Sequence, residues 1–148
     1  MSADLTEVEA AMSWNTNIID EFRANEGHVG GMFEGAPILL LHTTGRRSGE
    51  DRVNPLMYLP DGDRWVVFAS KGGHAYHPHW LLNLEAHPDV SIEVGTEMIP
   101  VRATVMHDGP DRDDLYARQV AARPQFGEYE LKVAGKRTIP VIVLERRS

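Results

Sequence analysis

A chain of 148 residues with 42% apolar and 25% charged side chains has the profile of one soluble globular domain, not of a disordered segment. With no cysteine, a disulfide framework, a thiolate metal site and a cysteine nucleophile are excluded. A net charge of −7 argues against non-specific nucleic-acid binding and against attraction to an anionic membrane surface.

Residues 1–26 hold six acids and one base, Arg23. Thr6 followed by Glu9 has the form of a capping box, and Val8, Ala11, Met12, Ile18, Ile19 and Phe22 recur at helical spacing. A helix is therefore expected, ending near Gly27, where Gly27, Gly30 and Gly31 supply a flexible connection. From Pro37 the period changes. Residues 38–44 (ILLLHTT) read as a strand and 45–49 (GRRSG) as a turn. Residues 52–59 (RVNPLMYL) read as a second strand in which Pro55 demands an edge position or a bulge. Asp61-Gly62 turns the chain into a third strand, 64–70, and the short connections suggest that the three form an antiparallel meander.

A loop over 71–77 leads to a short helix, 78–86, with Pro78 suited to its first turn. Strands 90–94 and 98–106 pair across Gly95-Thr96. A helix starts at Asp108-Gly-Pro, where Asp111, Asp113 and Asp114 complement the N-terminal dipole. A second helical piece spans 125–133, and the last strand 138–145. Six strands without a βαβ rhythm exclude a dinucleotide-binding sheet and predict an antiparallel α+β barrel. Residues 1–32 form its N-terminal helix and connection and 33–148 the barrel, within one domain. The longest apolar run, residues 36–41, is strand-sized, far below the roughly 20 residues that span a bilayer. Acidic residues stand where a secretory leader carries basic ones, so a cytoplasmic protein is expected.

Two segments gather cations in this acidic chain. Thr43-Thr-Gly-Arg-Arg-Ser-Gly49 combines glycines that allow close approach, hydroxyl donors and arginines suited to bidentate contact with phosphate or carboxylate. Ser70-Lys71-Gly72-Gly73 follows a strand end, and two glycines there can present successive amides as an anion nest. Arg46, Arg47, Arg52 and Lys71 thus stand on turns at strand ends. The alternative is that such cations pair with Glu50, Asp51, Asp61 and Asp63. His74, His77 and His79 invite a metal reading, but Pro78 sends the last two in diverging directions and no carboxylate completes the set; no metal is expected. Trp80 and Asn83 lie one helical turn apart, either as a wall for a planar heterocycle or as a core indole with a capping amide. No nucleophile–base pair stands in a nucleophile elbow.

Three ordered blocks carry a resemblance. They are residues 41–59 (LHTTGRRSGEDRVNPLMYL), residues 69–84 (ASKGGHAYHPHWLLNL), and residues 124–129 followed by RTIPVIVLE at 137–145. Over residues 33–145 the chain resembles the deazaflavin-dependent nitroreductase and quinone reductase family of actinobacteria. The resemblance implies a split β-barrel related to flavin-binding, pyridoxamine-phosphate-oxidase-like domains. It also implies coenzyme F420, a deazaflavin with a phosphate and an oligoglutamate tail. On this likeness Gly45, Arg46, Arg47, Ser48 and Lys71 hold the phosphate and tail, with Ser70 nearby. Arg52, Val53, Asn54, Pro55 and Leu56 lie along the deazaflavin ring, and Trp80 and Asn83 close its other side. Phe126 and Tyr129 match aromatic positions lining the acceptor pocket, with Tyr129 as proton donor or substrate orienter. Phe126 stands where some members carry a tyrosine, and residues 132–136 replace another aromatic-bearing stretch.

The implied activity is hydride transfer from reduced F420 to an electron-poor small molecule such as a quinone, a nitroaromatic or an activated enone. The alternatives are FMN on the same barrel, or a non-catalytic carrier of F420 or a quinone. No sequence pattern specifies an oligomeric state.

Overall fold

A computed structural model describes residues 14–73 and 75–147; the Thr6–Glu9 capping box, the apolar positions 8, 11 and 12, and His74 lie outside them. The described residues form seven strands: β1 (Ile38–Thr44), β2 (Asp51–Met57), β3 (Leu59–Asp61), β4 (Arg64–Phe68), β5 (Asp89–Val94), β6 (Glu97–Met106) and β7 (Val141–Arg146). They form one sheet in the order β2-β1-β5-β6-β7-β4-β3, every neighbouring pair antiparallel. Among the described residues four helices flank it: α1 (residues 14–24), α2 (His79–Ala86), α3 (Pro110–Ala122) and α4 (Gln125–Val133).

The strand order itself shows that the sheet is rolled. β2 and β3 stand at opposite edges, yet only Tyr58 separates them in the chain. One residue spans at most about 3.6 Å, so the two edges must meet. β2 indeed lies against β4 across this seam without sharing a ladder. The result is a barrel split along one line.

The three-strand meander is not what forms. β1 and β2 make a hairpin from Thr44↔Asp51 to Ile38↔Met57, but the stretch 52–59 is two strands and not one. The Tyr58 amide makes the last bond in the β1–β2 register, to the Pro37 carbonyl at 3.0 Å, and β3 starts a second hairpin with β4. β4 then pairs with β7, Phe68↔Val141 to Trp65↔Leu144. The reason lies in β7: Val141, Ile142, Val143 and Leu144 are all buried, so this strand is covered on both faces and needs a neighbour on each side. Pro55, lacking an amide hydrogen, sits on the edge strand β2 as its chemistry requires. The last strand begins at Val141 instead of residue 138, because Pro140 has no amide hydrogen for a ladder and Arg112 takes the Ile139 carbonyl.

Alternation along β1 shows how the layers are built. Leu39 and Leu41 point into the barrel, joining Val67, Ile92, Val101, Ile142 and Leu144 around Trp80, Leu81 and Leu84 of α2. Ile38 and Leu40 point outward against Phe22 and Val29, at and beyond the end of α1. On the far side α3 and α4 bury Leu115, Tyr116, Phe126 and Val133 against Val66, Phe68, Val141 and Val143. α1 is stopped by Gly27, whose φ of +97° and position permit no side chain: a Cβ there would meet Gly95 Cα at 2.8 Å. Charge fastens the same helix. Arg23 donates to Glu93 at 2.7 Å, and the His42 ring lies 2.6 Å from that carboxylate.

Arg112, only 5% exposed, latches α3 to the chain beyond α4. Its Nε and Nη2 donate to the Ile139 carbonyl at 3.0 and 2.9 Å, and it lies over the Tyr116 ring. The Tyr116 hydroxyl in turn donates to the Phe126 carbonyl at 2.7 Å. Burial pushes the Tyr116 phenol well above its ordinary range.

Candidate cofactor site

Because every pair is antiparallel, β1, β4 and β6 end at the rim where β2, β5 and β7 begin. The turn 45–50 and the segment 69–73 therefore leave the same rim. They also flank the seam, since β2 approaches β4 there. This is the juxtaposition that sequence separation conceals.

The first turn is held by α2. Gly45 donates to the Glu50 carbonyl at 2.8 Å, closing the hairpin. Asn83 Oδ1 accepts from the Arg46 amide at 3.1 Å and from Arg46 Nη1 at 3.3 Å, while Asn83 Nδ2 donates to Thr43 Oγ1 at 3.3 Å. Asn83 and Thr43 are both buried. Asn83 thus supports the turn from beneath, and Thr43, which the sequence did not mark as supporting the turn, completes the bracket. Ser48 Oγ accepts from the Glu50 amide at 3.2 Å.

The second turn, Lys71–Gly73, is a single 3-10 turn. Lys71 has φ +47°, in the left-handed region, and Gly73 donates to the Ser70 carbonyl at 2.9 Å. Gly73 (φ +83°) lies against α4: a Cβ there would come within 2.8 Å of Lys132 Cδ and 3.4 Å of Tyr129 Cα. Tyr129 is half-buried beside the turn, its ring centroid 5.1 Å from that of Phe126 and tilted by 67°.

The four cations divide. Arg52 pairs with Glu50 at 3.2 Å, and Arg46 is engaged with Asn83. Arg64 pairs with Asp61, which also accepts from Arg118 at 3.1 Å. Ion pairing therefore accounts for Arg52 and Arg64. The exposed side chains of Arg47 and Lys71 make no ion pair or hydrogen bond among the described residues.

Several expected roles meet a different geometry. Trp80 is 7% exposed and packs inside the barrel with Leu39 and Leu41, so in this structure its indole is a core support and presents no flat wall. Phe126, 6% exposed, stacks edge-on against Phe68 and Tyr116 and backs Tyr129. Residues 52–56 cannot all lay side chains along one ring, since strand neighbours point to opposite faces. Leu56 packs toward the interior and Val53 toward α1; Asn54 shares the face of Leu56, and Pro55 that of Val53. Ser70 is buried at the base of its turn. His77 is bonded to Arg137 at 2.9 Å, and among the described residues no group of three or more His, Asp or Glu is placed to hold a metal ion. Two cavities stand out, one of about 110 Å³ beside Met57, Tyr58 and Gln119 and one of about 320 Å³ beside His42, Asp51 and Met98; neither is lined by Arg47, Lys71 or Tyr129.

Fold and rim together define a class: an antiparallel split barrel with uncommitted cations on two turns at one end and an aromatic helix beside them. Comparison with known proteins makes this specific. The chain belongs to the F420H(2)-dependent quinone reductase family, whose model matches residues 14–146 and so takes in α1 as well as the barrel. An F420H(2)-dependent quinone reductase of Mycobacterium tuberculosis is 41% identical over 130 residues, 85% of each chain. The solved structure of an F420-H2 dependent reductase superposes with a TM-score of 0.66 at 37% identity, covering 74% of this chain and 94% of that one. A protein of the pyridoxinephosphate oxidase family from Clostridium acetobutylicum, 12% identical, shares the fold with a TM-score of 0.53 over 75% of each chain.

Proposed function

We propose that this chain, an F420-dependent reductase by family, reduces a quinone at the rim between turns 45–50 and 70–73. The observation that carries this reading is the pair of unengaged cations, Arg47 and Lys71, on two turns that share a rim and flank the barrel seam. A phosphate and oligoglutamate tail is a long polyanion, and it suits cations left unpaired in a protein that is acidic overall. Arg46, Ser48 and the Gly45 backbone complete the first turn, and Ser70 anchors the second.

Bound and reduced, the deazaflavin supplies the hydride. The chain then has to orient the ring and the acceptor, keep water out and deliver a proton. Arg52, Asn54 and Leu56 present one face of the edge strand β2 to the ring, while Val53 and Pro55 serve through backbone only. In this reading Tyr129, whose Cα lies next to Gly73, is the group that gives a proton to the quinone oxygen. Asn83 and Trp80 hold the site from below. Nitroaromatics and activated enones share the electron-poor π-system of a quinone and fall within the same chemistry.

The test is a fluorescence titration with F420 and, separately, with FMN, followed by oxidation of the reduced cofactor against quinones. Tight F420 binding with quinone turnover is expected. Binding of FMN in its place would assign the other flavin, and tight F420 binding without turnover on any acceptor would make the chain a carrier. Lys71→Ala should weaken F420 binding about tenfold, the lower end for a charge-assisted contact because the site is solvated. Tyr129→Phe should slow turnover while keeping affinity.

A further inference from the structure

We infer that Arg137 is the positioning residue of the cofactor rim: its guanidinium clamps both ends of the loop 69–77 and sets the strained turn 70–73 against α4. Among the described residues, three contacts build the clamp. Nη1 donates to the Ala69 carbonyl at 3.0 Å, Nη2 donates to the Ser70 carbonyl at 2.9 Å, and Nη1 reaches His77 Nδ1 at 2.9 Å. A guanidinium has only donors, so His77 must offer the lone pair of Nδ1 and keep its proton on Nε2. One planar fork thus ties the residues before the turn to a residue after it.

The clamp sits where the backbone needs it. Lys71 holds a left-handed φ of +47° without being glycine, a strain that persists only when the surroundings enforce it. The Ala69 amide is fixed to the Pro140 carbonyl at 3.1 Å, and Gly73 folds back on the Ser70 carbonyl at 2.9 Å. Arg137 occupies the carbonyls of the two residues that lead into Lys71, so the chain direction there is set from outside the turn.

The other end of Arg137 is equally fixed. The Lys136 and Arg137 amides donate to the Val133 carbonyl at 2.8 and 3.1 Å, capping α4. α4 carries Tyr129, whose Cα lies beneath Gly73. A single residue therefore joins the helix with the proposed proton donor to the turn with the proposed tail-binding cation. Arg137 touches neither ligand by this reading; it sets the distance between the parts that do. This role rests on the proposed F420 reading, and its test has an arm that does not.

That arm is amide hydrogen exchange on the cofactor-free protein, comparing wild type with Arg137→Gln. Exchange over 70–77 should accelerate about tenfold while β5, β6 and α1 keep their rates; an unchanged loop, or equal acceleration everywhere, overturns the clamp. The second arm is an F420 titration of Arg137→Gln, Lys71→Ala and the double variant. Acting through one turn, the two changes should be non-additive: each weakens binding about tenfold, and the pair by clearly less than a hundredfold. Strict multiplication of the two effects overturns the positioning role. Arg137→Lys retains the charge without the fork, so it should keep fast loop exchange; wild-type exchange in that variant would show that charge and not geometry matters, against the inference. Should Arg137→Gln fail to fold, Arg137→Lys carries both arms. If wild type itself binds no F420, the proposed function fails while the exchange arm still decides the clamp.

Discussion

Replacing Asn83 with alanine removes a buried amide that makes three hydrogen bonds, two to Arg46 at 3.1 and 3.3 Å and one to Thr43 at 3.3 Å. The Arg46 amide is the partner that matters, because a backbone donor stripped of its acceptor costs about 1–3 kcal/mol when water cannot replace it. Arg46 is only half-buried, and two of the three distances are long, so the lower half of that range applies. About 1.5 kcal/mol of lost stability is expected, which for a domain of this size lowers Tm by about 3–6 °C. Asn83→Asp separates the structural from the electrostatic part. Its carboxylate still accepts from Arg46, and the Thr43 hydroxyl can reverse to donate, so stability should stay near wild type. The added negative charge beside Arg46 should nonetheless weaken F420 binding. Thermal melts, exchange of the Arg46 amide and an F420 titration test the three statements together. If Asn83→Ala matches wild type in melting and in Arg46 exchange, α2 does not hold the turn and the account of the rim is wrong.

Gly73→Ala places a side chain at φ +83° and 2.8 Å from Lys132 Cδ. Lys132 is exposed and can swing away, so the backbone conformation dominates and about 1–2 kcal/mol should be lost; an unchanged urea midpoint would mean the turn is not held in this form. The pH profile should fall on the acid side in two stages. Burial, then Arg137 and His107, lower the His77 pKa, with Glu85 opposing. The unfolded chain therefore takes up the proton first, and stability is full above the ordinary value of 6.5 and declines as pH drops below it. Glu93 is held below its ordinary 4.5 by the Arg23 hydrogen bond and by His42, against burial. Its contribution is present above 4.5 and lost as pH falls through the depressed value. Urea unfolding across pH 3–8 should show the lower stage flatten in Glu93→Gln, and persistence of that stage would remove Glu93 as its source.

Much of the local structure was legible because it depends on neighbours in the chain. The strand 38–44 and the helix 125–133 match what periodicity indicates residue for residue, and Pro55 revealed its edge position through the hydrogen it lacks. Clustering of cations marked two turns, and the strand order brings both to one rim. Residues 52–59 misled for a physical reason: an apolar run carries no mark showing that its strand changes edge at Tyr58. Trp80 and Phe126 stayed open because an aromatic at helical spacing serves equally in a core and on a ligand. Arg137 was legible only as part of a motif, since its acceptors are main-chain carbonyls 67 and 68 positions away, and backbone groups leave no signature in residue type.

By itself, then, the order of amino acids determined most of the strand, turn and helix segments, that the assembly is an antiparallel α+β barrel, and which two turns carry positive charge. Those properties follow from side-chain period, glycine and proline stereochemistry and local charge, all of which act over a few residues. Only the tertiary structure decided that β2 and β3 close the barrel at one seam, that the two turns flank it, and that Arg47 and Lys71 stay free while Arg52 and Arg64 are paired. Each of these depends on which distant segments share a ladder or a rim, and that is settled by burying β7 on both faces and joining the sheet edges through a single residue.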